Sequence, residues 1–290
     1  MATTPHSQEP KPAFPLRSKL LILLAFIIGI FIPVQFWRGV WFGRELTDQQ
    51  LEKLFGQESN PRGIQHALVQ IDKRIRNRDP EVNRWYPEIA SLSTHPLVQI
   101  RAEAAWVMGQ DNESALFHQT LLYCLKDSSP LVRRNAALAV VRFQDLAALE
   151  ELRSMLKNWL VKSPADGRVE LRAKLGQWVH SDVELAIVTR EGGHQATVGS
   201  DLRGRVLEVK ATDEEVVAQG RVLLVLSPDP EHVRESLRAL YLIGGESELE
   251  LVEPYTHNLE YTEELRSQAQ VTARAIRGRL SKRSRERTER

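Results

Sequence analysis

The sequence predicts a mainly α-helical protein, a stack of helical repeats interrupted by a small all-β sandwich and preceded by one N-terminal transmembrane helix. Three observations carry that expectation: an uncharged apolar run near the start, a repeat of about 35 residues through the middle, and a duplicated Val- and Gly-rich motif between residues 163 and 227. The 290 residues suffice for domains with real cores, and 42% hydrophobic with 27% charged residues is ordinary globular composition. A formal charge of +1 argues against a chain built mainly to bind polyanions. Cys124 is the single cysteine, which excludes a disulfide framework and a thiol-rich metal site.

Residues 1–18 hold Pro5, Pro10, Pro12 and Pro15 among polar residues and read as a disordered leader. From Leu20 to Phe36 there is no charge. With Trp37, Val40, Trp41 and Phe42 the stretch approaches the ~20 residues that cross a bilayer, so residues 19–42 are expected to form a membrane anchor. Bulky residues follow it where a signal peptide would need small ones for cleavage. Arg17 and Lys19 before the run, and Trp37, Arg38 and Trp41 after it, suit two interfaces. The flanking basic residues almost balance; the expected topology is a signal anchor, with the leader inside and the bulk of the chain extracytoplasmic.

Residues 45–162 carry the repeat. Asn60-Pro61, His95-Pro96 and Ser129-Pro130 are each followed, six residues past the proline, by Ala67, Ala102 and Ala136. Each unit begins at a proline suited to a first helical turn, turns at Gly109 or near Gln144 and Asp145, and continues in a second helix. A unit this short buries its apolar face only against its neighbours, so stacking is required. The segment from Ser128 to Phe143, with Pro130, Val132, Arg133, Ala136, Ala137 and Ala139, resembles the HEAT repeat family, and the segment from Thr94 to Gly109 does so less closely. The unit from Pro61 departs further, its second helix carrying Pro87. After a break, residues 228–280 return to the pattern with Pro230, Val233, Leu237, Ala239, Leu240 and Gly244, closed by a helix through Leu265, Ala269, Val271, Ala275 and Ile276. Residues 281–290 read as a solvated basic tail.

Residues 163–227 contain a duplication. Gly167 and Val169 match Gly204 and Val206; with one residue inserted, Val179, Asp182 and Leu185 match Val217, Gly220 and Leu223. Two strand-turn-strand halves of this kind can intertwine into a closed sandwich with few free edges. The motif resembles the biotinyl/lipoyl-like fold and the barrel-sandwich hybrid of membrane-fusion proteins. That resemblance implies an envelope adaptor role. It also places a carrier lysine at the tip of the hairpin joining the halves, where this chain has Glu191, Gly192, Gly193 and His194, with Gly193 at the lysine's position. Arg190 nearby stays protonated and is a poor nucleophile. No biotin or lipoate is therefore expected, and the paired glycines fit a turn that needs positive φ. Lys174 and Lys210 belong to the half-motifs and not to the joining turn.

No catalytic, cofactor-binding or metal-ligating residues are singled out. The eight histidines show no helical pairing at ligand spacing and read as surface or capping residues, and the carboxylates of residues 245–253 read as a solvated helix face. The expected function is a membrane-anchored, non-enzymatic scaffold or adaptor for protein partners, with Glu191, Gly192, Gly193 and His194 as candidate partner contacts. Nucleic acid is not an expected partner. The alternative is a HEAT-like enzyme of the bilin-lyase type or a HEAT-like nucleic-acid-binding protein, since related helical stacks occur in both.

Overall fold

The computed structural model describes residues 45–56, 60–180 and 183–288. The expected leader and the anchor at 19–42 lie outside the described residues, and among these no helix is long and apolar enough to cross a membrane. A short helix, α1, spans Asp48–Phe55.

Helices follow in turn, α2 (Pro61–Arg76), α3 (Tyr86–Ser91), α4 (Val98–Met108), α5 (Ala115–Cys124), α6 (Pro130–Val140) and α7 (Leu149–Met155), with α4 packed on α5 and α6 on α7. Prolines at the first turn of α2 and α6 spare an amide that has no partner there. Pro87 likewise sits in the first turn of α3, the second helix expected to carry it. Successive first helices pack side by side, α2 on α4 and α4 on α6, burying Ile64, Ile100 and Val132.

The repeat register differs by two residues from the proline alignment. Pro96 lies outside α4, because Leu97 is extended (φ −83°, ψ 122°) and the helix starts at Val98. The bonds agree: Leu97 N donates to His95 Nδ1 as Ser129 N donates to Asp127 Oδ1. Arg101 Nη1 donates to the carbonyls of His95 and Pro96, as Arg133 Nη1 does to those of Asp127 and Ser128. Ala104, not Ala102, is therefore the equivalent of Ala67 and Ala136. Pro96 and Val98 offered two possible helix starts, and the side-chain caps select between them.

Strand structure begins at Trp159, before the expected boundary at 163. The strands are β1 (Trp159–Lys162), β2 (Gly167–Leu171), β3 (Trp178–Val179), β4 (Glu184–Thr189), β5 (Gln195–Gly199), β6 (Gly204–Val209), β7 (Val216–Val217) and β8 (Val222–Leu226). They form two four-stranded sheets, ordered β1-β8-β6-β3 and β5-β4-β2-β7. Exchanging β1 with β5, β2 with β6, β3 with β7 and β4 with β8 turns one order into the other, so the two halves are related by a pseudo-two-fold axis.

The sequence duplication is thus repeated bond by bond. Val169 N donates to Glu215 O and Val206 N to Gln177 O; Arg172 and Ala173 N share Leu185 O as Lys210 and Ala211 N share Leu223 O. Ser163 and Ser200 Oγ each donate to the carbonyl two residues on. Gly167 and Gly204 are required for close approach, since a Cβ would stand 2.4 Å from Thr189 O and 2.6 Å from Ser227 O. The shared core is aliphatic, built from Val169, Val179, Leu185, Val188, Val206, Val217, Leu223 and Leu226 among others.

The helical stack resumes with α8 (Pro230–Ile243), α9 (Glu246–Val252) and α10 (Glu263–Thr288). Helix α8 packs directly on α7, with Ser236 Oγ donating to Leu152 O at 2.8 Å, and Tyr255 Oη donates to Leu156 O at 2.6 Å. The β module is accordingly an insertion between adjoining repeats. Residues 281–288, expected as an unstructured tail, continue α10; their Arg, Lys, Ser and Glu residues oppose no helical turn.

Candidate docking surface

The β4–β5 turn presents the residues singled out from sequence. Gly193 N donates to Arg190 O and Arg190 N to His194 O, which closes the turn, and Gly192 and Gly193 adopt φ of +89° and +83°. Glu191, Gly192, Gly193 and His194 are all exposed. A side chain at either glycine would be strained by backbone conformation, not by crowding. Lys174 lies in the β2–β3 loop and Lys210 follows β6, where it pairs with Glu208; neither is in this turn.

Beside the turn is a shallow cleft of about 490 Å³, lined by Pro164, Ala165, Asp166, Arg190, Glu191 and Val216 among others. Asp166 Oδ1 accepts from Gln219 N, which holds the cleft wall, and Val216 is 72% exposed. The pseudo-two-fold partner of this region shares its strand pattern and has different chemistry. Trp178 stands where the cleft has Val216, Arg203 where it has Asp166, and Leu202 where it has Ala165. The Arg203 guanidinium lies 5.7 Å from the Trp178 ring centroid, Leu175 is 69% exposed and Trp178 48%. Larger side chains thus stand at the equivalent place, with Leu175 and Trp178 exposed there.

A second cluster lies on the helical seam that brackets the insertion, and sequence reasoning missed it. Arg134 is 2% exposed; its Nη1 donates to His232 Nδ1 at 2.8 Å, and its Nε lies 3.7 Å from Glu151 Oε1. Burial lowers the Arg134 guanidinium to about 10, against the opposing pull of Glu151. A guanidinium only donates, so His232 Nδ1 must offer its lone pair and the neutral ring carries its proton on Nε2. Burial and then the Arg134 charge lower the His232 pKa, while Asp229, 3.4 Å from Nδ1, opposes them. Glu151 also accepts from Arg133 Nε at 2.9 Å and from Ser154 Oγ at 2.9 Å.

Two expectations are corrected here. His232 is a half-buried member of a charged network and not a free surface residue. Glu248, expected on a solvated face, is 2% exposed; it accepts from Arg153 Nε at 2.6 Å and caps α9 by accepting from Gly245 N at 2.6 Å. The signal available in sequence was an arginine at a core position of the best-matching repeat, Arg134 beside Val132 and Ala136. Elsewhere on the stack, Arg101 makes a two-bond contact with Asp127 at 2.7 and 2.9 Å. His118 Nε2 pairs with Asp145 Oδ2 at 2.9 Å while stacking on Phe143. Cys124 is buried, and burial followed by Asp127 pushes its thiol up to about 11, which suppresses the reactive thiolate. No group of three or more His, Cys, Asp or Glu suited to a metal occurs among the described residues.

Packed helices with polar seams, interrupted by a two-sheet insertion, define a helical-repeat architecture. Residues 87–165 match the family model for HEAT repeats, which covers the repeats formed by α3 to α7 and ends within the insertion. No curated protein was found to match the chain.

Proposed function

We propose that this protein is a membrane-anchored, non-enzymatic scaffold that uses its β module as a docking body, in the manner of envelope adaptors built on lipoyl-like barrel-sandwich domains. HEAT repeats suit protein-protein contact, because a stack offers long surfaces whose shape is held by its seams. The observation that carries the reading is the β4–β5 turn. It occupies the place of a carrier hairpin but presents Glu191, Gly192, Gly193 and His194, none of which forms an amide with biotin or lipoate. The uncharged run at 19–42 supplies the anchor in this reading, with the folded part outside the cytoplasm.

The test is a crosslinking pull-down of the full chain from its native membrane, with intact-mass measurement of the recovered protein. Unmodified mass and a defined set of crosslinked proteins, lost when Gly192 and Gly193 are both replaced by valine, are expected. A biotinyl or lipoyl mass on Lys174 or Lys210 would overturn the reading. For topology, a C-terminal reporter active only in the cytoplasm should stay silent.

A further inference from the structure

We infer that the β module associates head to tail with that of a second copy of this chain, the Leu175–Trp178 protrusion of one seating in the Asp166–Val216 cleft of the other. The inference rests on reading the module as a docking body and names an occupant for it. Its starting point is the pseudo-two-fold axis, which relates the strands at the two ends of the module; the ends differ in side chains, in the residue inserted in β6, and in the segment that follows β4 or β8.

The side-chain difference is complementary. The protruding end carries Lys174, Arg203 and Arg205, all exposed, around Leu175, Trp178 and Leu207. At the equivalent places the cleft end carries Thr212, Asp166 and Arg168 around Asp213 and Val216, Leu207 being the bulged residue of β6 without a counterpart, and its β6–β7 loop adds Glu214 and Glu215. One end carries three exposed cations around apolar side chains, with Arg203 also lining a cleft beside Asp229 and Glu231; the other carries more carboxylates than cations, Glu214 pairing with Arg168 and Glu215 with Arg221, around an opening of about 490 Å³. Glu191 at the hairpin tip extends the acidic rim.

Leu175 and Trp178 are exposed close together beside cations, and aromatic anchors flanked by cations are typical of interface centres. Two like ends facing each other would bring cations together, so the contact uses different surfaces on the two copies. A contact of that kind closes into a ring or continues as a filament, according to the rotation it imposes.

The test uses the full chain in its membrane, expressed as two differently tagged copies. One carries Leu175→Cys and the other Gln219→Cys, and a short bis-maleimide is applied; buried Cys124 alone gives the background. Mixed dimers well above both self-pairings are expected. Dominant Leu175→Cys self-pairing, or no mixed dimer above background, overturns the inference. Reversing Lys174→Glu with Arg205→Glu should cut mixed dimers about tenfold, and pairing that copy with Glu191→Lys and Glu214→Lys should restore them. Failure to restore also counts against it. If mixed dimers are absent while the Gly192→Val, Gly193→Val copy still loses other crosslinked proteins, self-association falls and the docking role stands.

Discussion

The helical stack and the β module hold themselves together by opposite means. At the seams between its helices the stack places charge pairs that are largely buried: Arg101 on Asp127, Arg133 and Arg134 on Glu151, Arg153 on Glu248. The module's interior is aliphatic throughout, and its hydrogen bonding is carried by sheet ladders and paired turns. A helix pair can slide on a smooth apolar seam by one turn at little cost, whereas a guanidinium must meet its own carboxylate. In the module, register follows from strand pairing and from two glycines that admit a crossing carbonyl. Charge specifies position in one region, backbone geometry in the other.

The comparison is broken most forcefully at those glycines. Gly167→Val should abolish the folded module, since the added Cβ meets a backbone oxygen at 2.4 Å, and Gly204→Val should do the same. Hydrogen exchange would lose protection across 159–226 in both variants while the helices keep theirs. Unequal outcomes would mean the halves do not share one construction. Next in size is Glu151→Ala, which strands the buried Arg134 and should cost about 3–5 kcal/mol in denaturant unfolding. Leu185→Ala in the module should cost about 2–5 kcal/mol by leaving a cavity, with no dependence on pH.

The regions should also part under acid. His232 has a folded-state pKa below its ordinary 6.5, so the unfolded chain takes up the proton first. Its contribution is complete above about pH 6.5 and is lost as pH falls through the folded value, with a slope of at most about 1.4 kcal/mol per pH unit. His232→Gln keeps an acceptor for Arg134 and should flatten that slope between pH 7 and pH 5 in denaturant midpoints. The smallest effect is at the tip. Gly192→Ala or Gly193→Ala should cost about 1 kcal/mol each for positive φ, and His194→Ala should stay within about 0.5 kcal/mol.

The duplication was legible because Gly167, Val169, Gly204 and Val206 sit where backbone geometry leaves no other choice. The HEAT-like units were legible from Ala136 and Ala137, which close helix approach demands. Helix register was not, because Pro96 and Val98 can each begin a helix and the decision lies with His95, whose capping role has no sequence signature. The strand at Trp159–Lys162 was assigned to the helical side, since four residues are too few to show alternation. For the tip, sequence gave the turn and its glycines, but the adjoining cleft is made by Pro164, Asp166 and Val216, which only the fold brings together. The Arg134, Glu151 and His232 cluster joins residues on either side of an insertion, and no local pattern spans that gap.

Where the chain leaves the stack and where it returns are neighbours, because Trp159 pairs with Leu226 across adjacent strands. Antiparallel partners lie about 5 Å apart, so a splice of one or two residues could join Asn158 to Ser227. The repeats on either side already touch through Ser236 and Leu152, and would need no rearrangement. The gene for this protein is therefore written as a sentence with a parenthesis: the passage between 159 and 226 can be struck out, lengthened or exchanged, and the clause around it still parses.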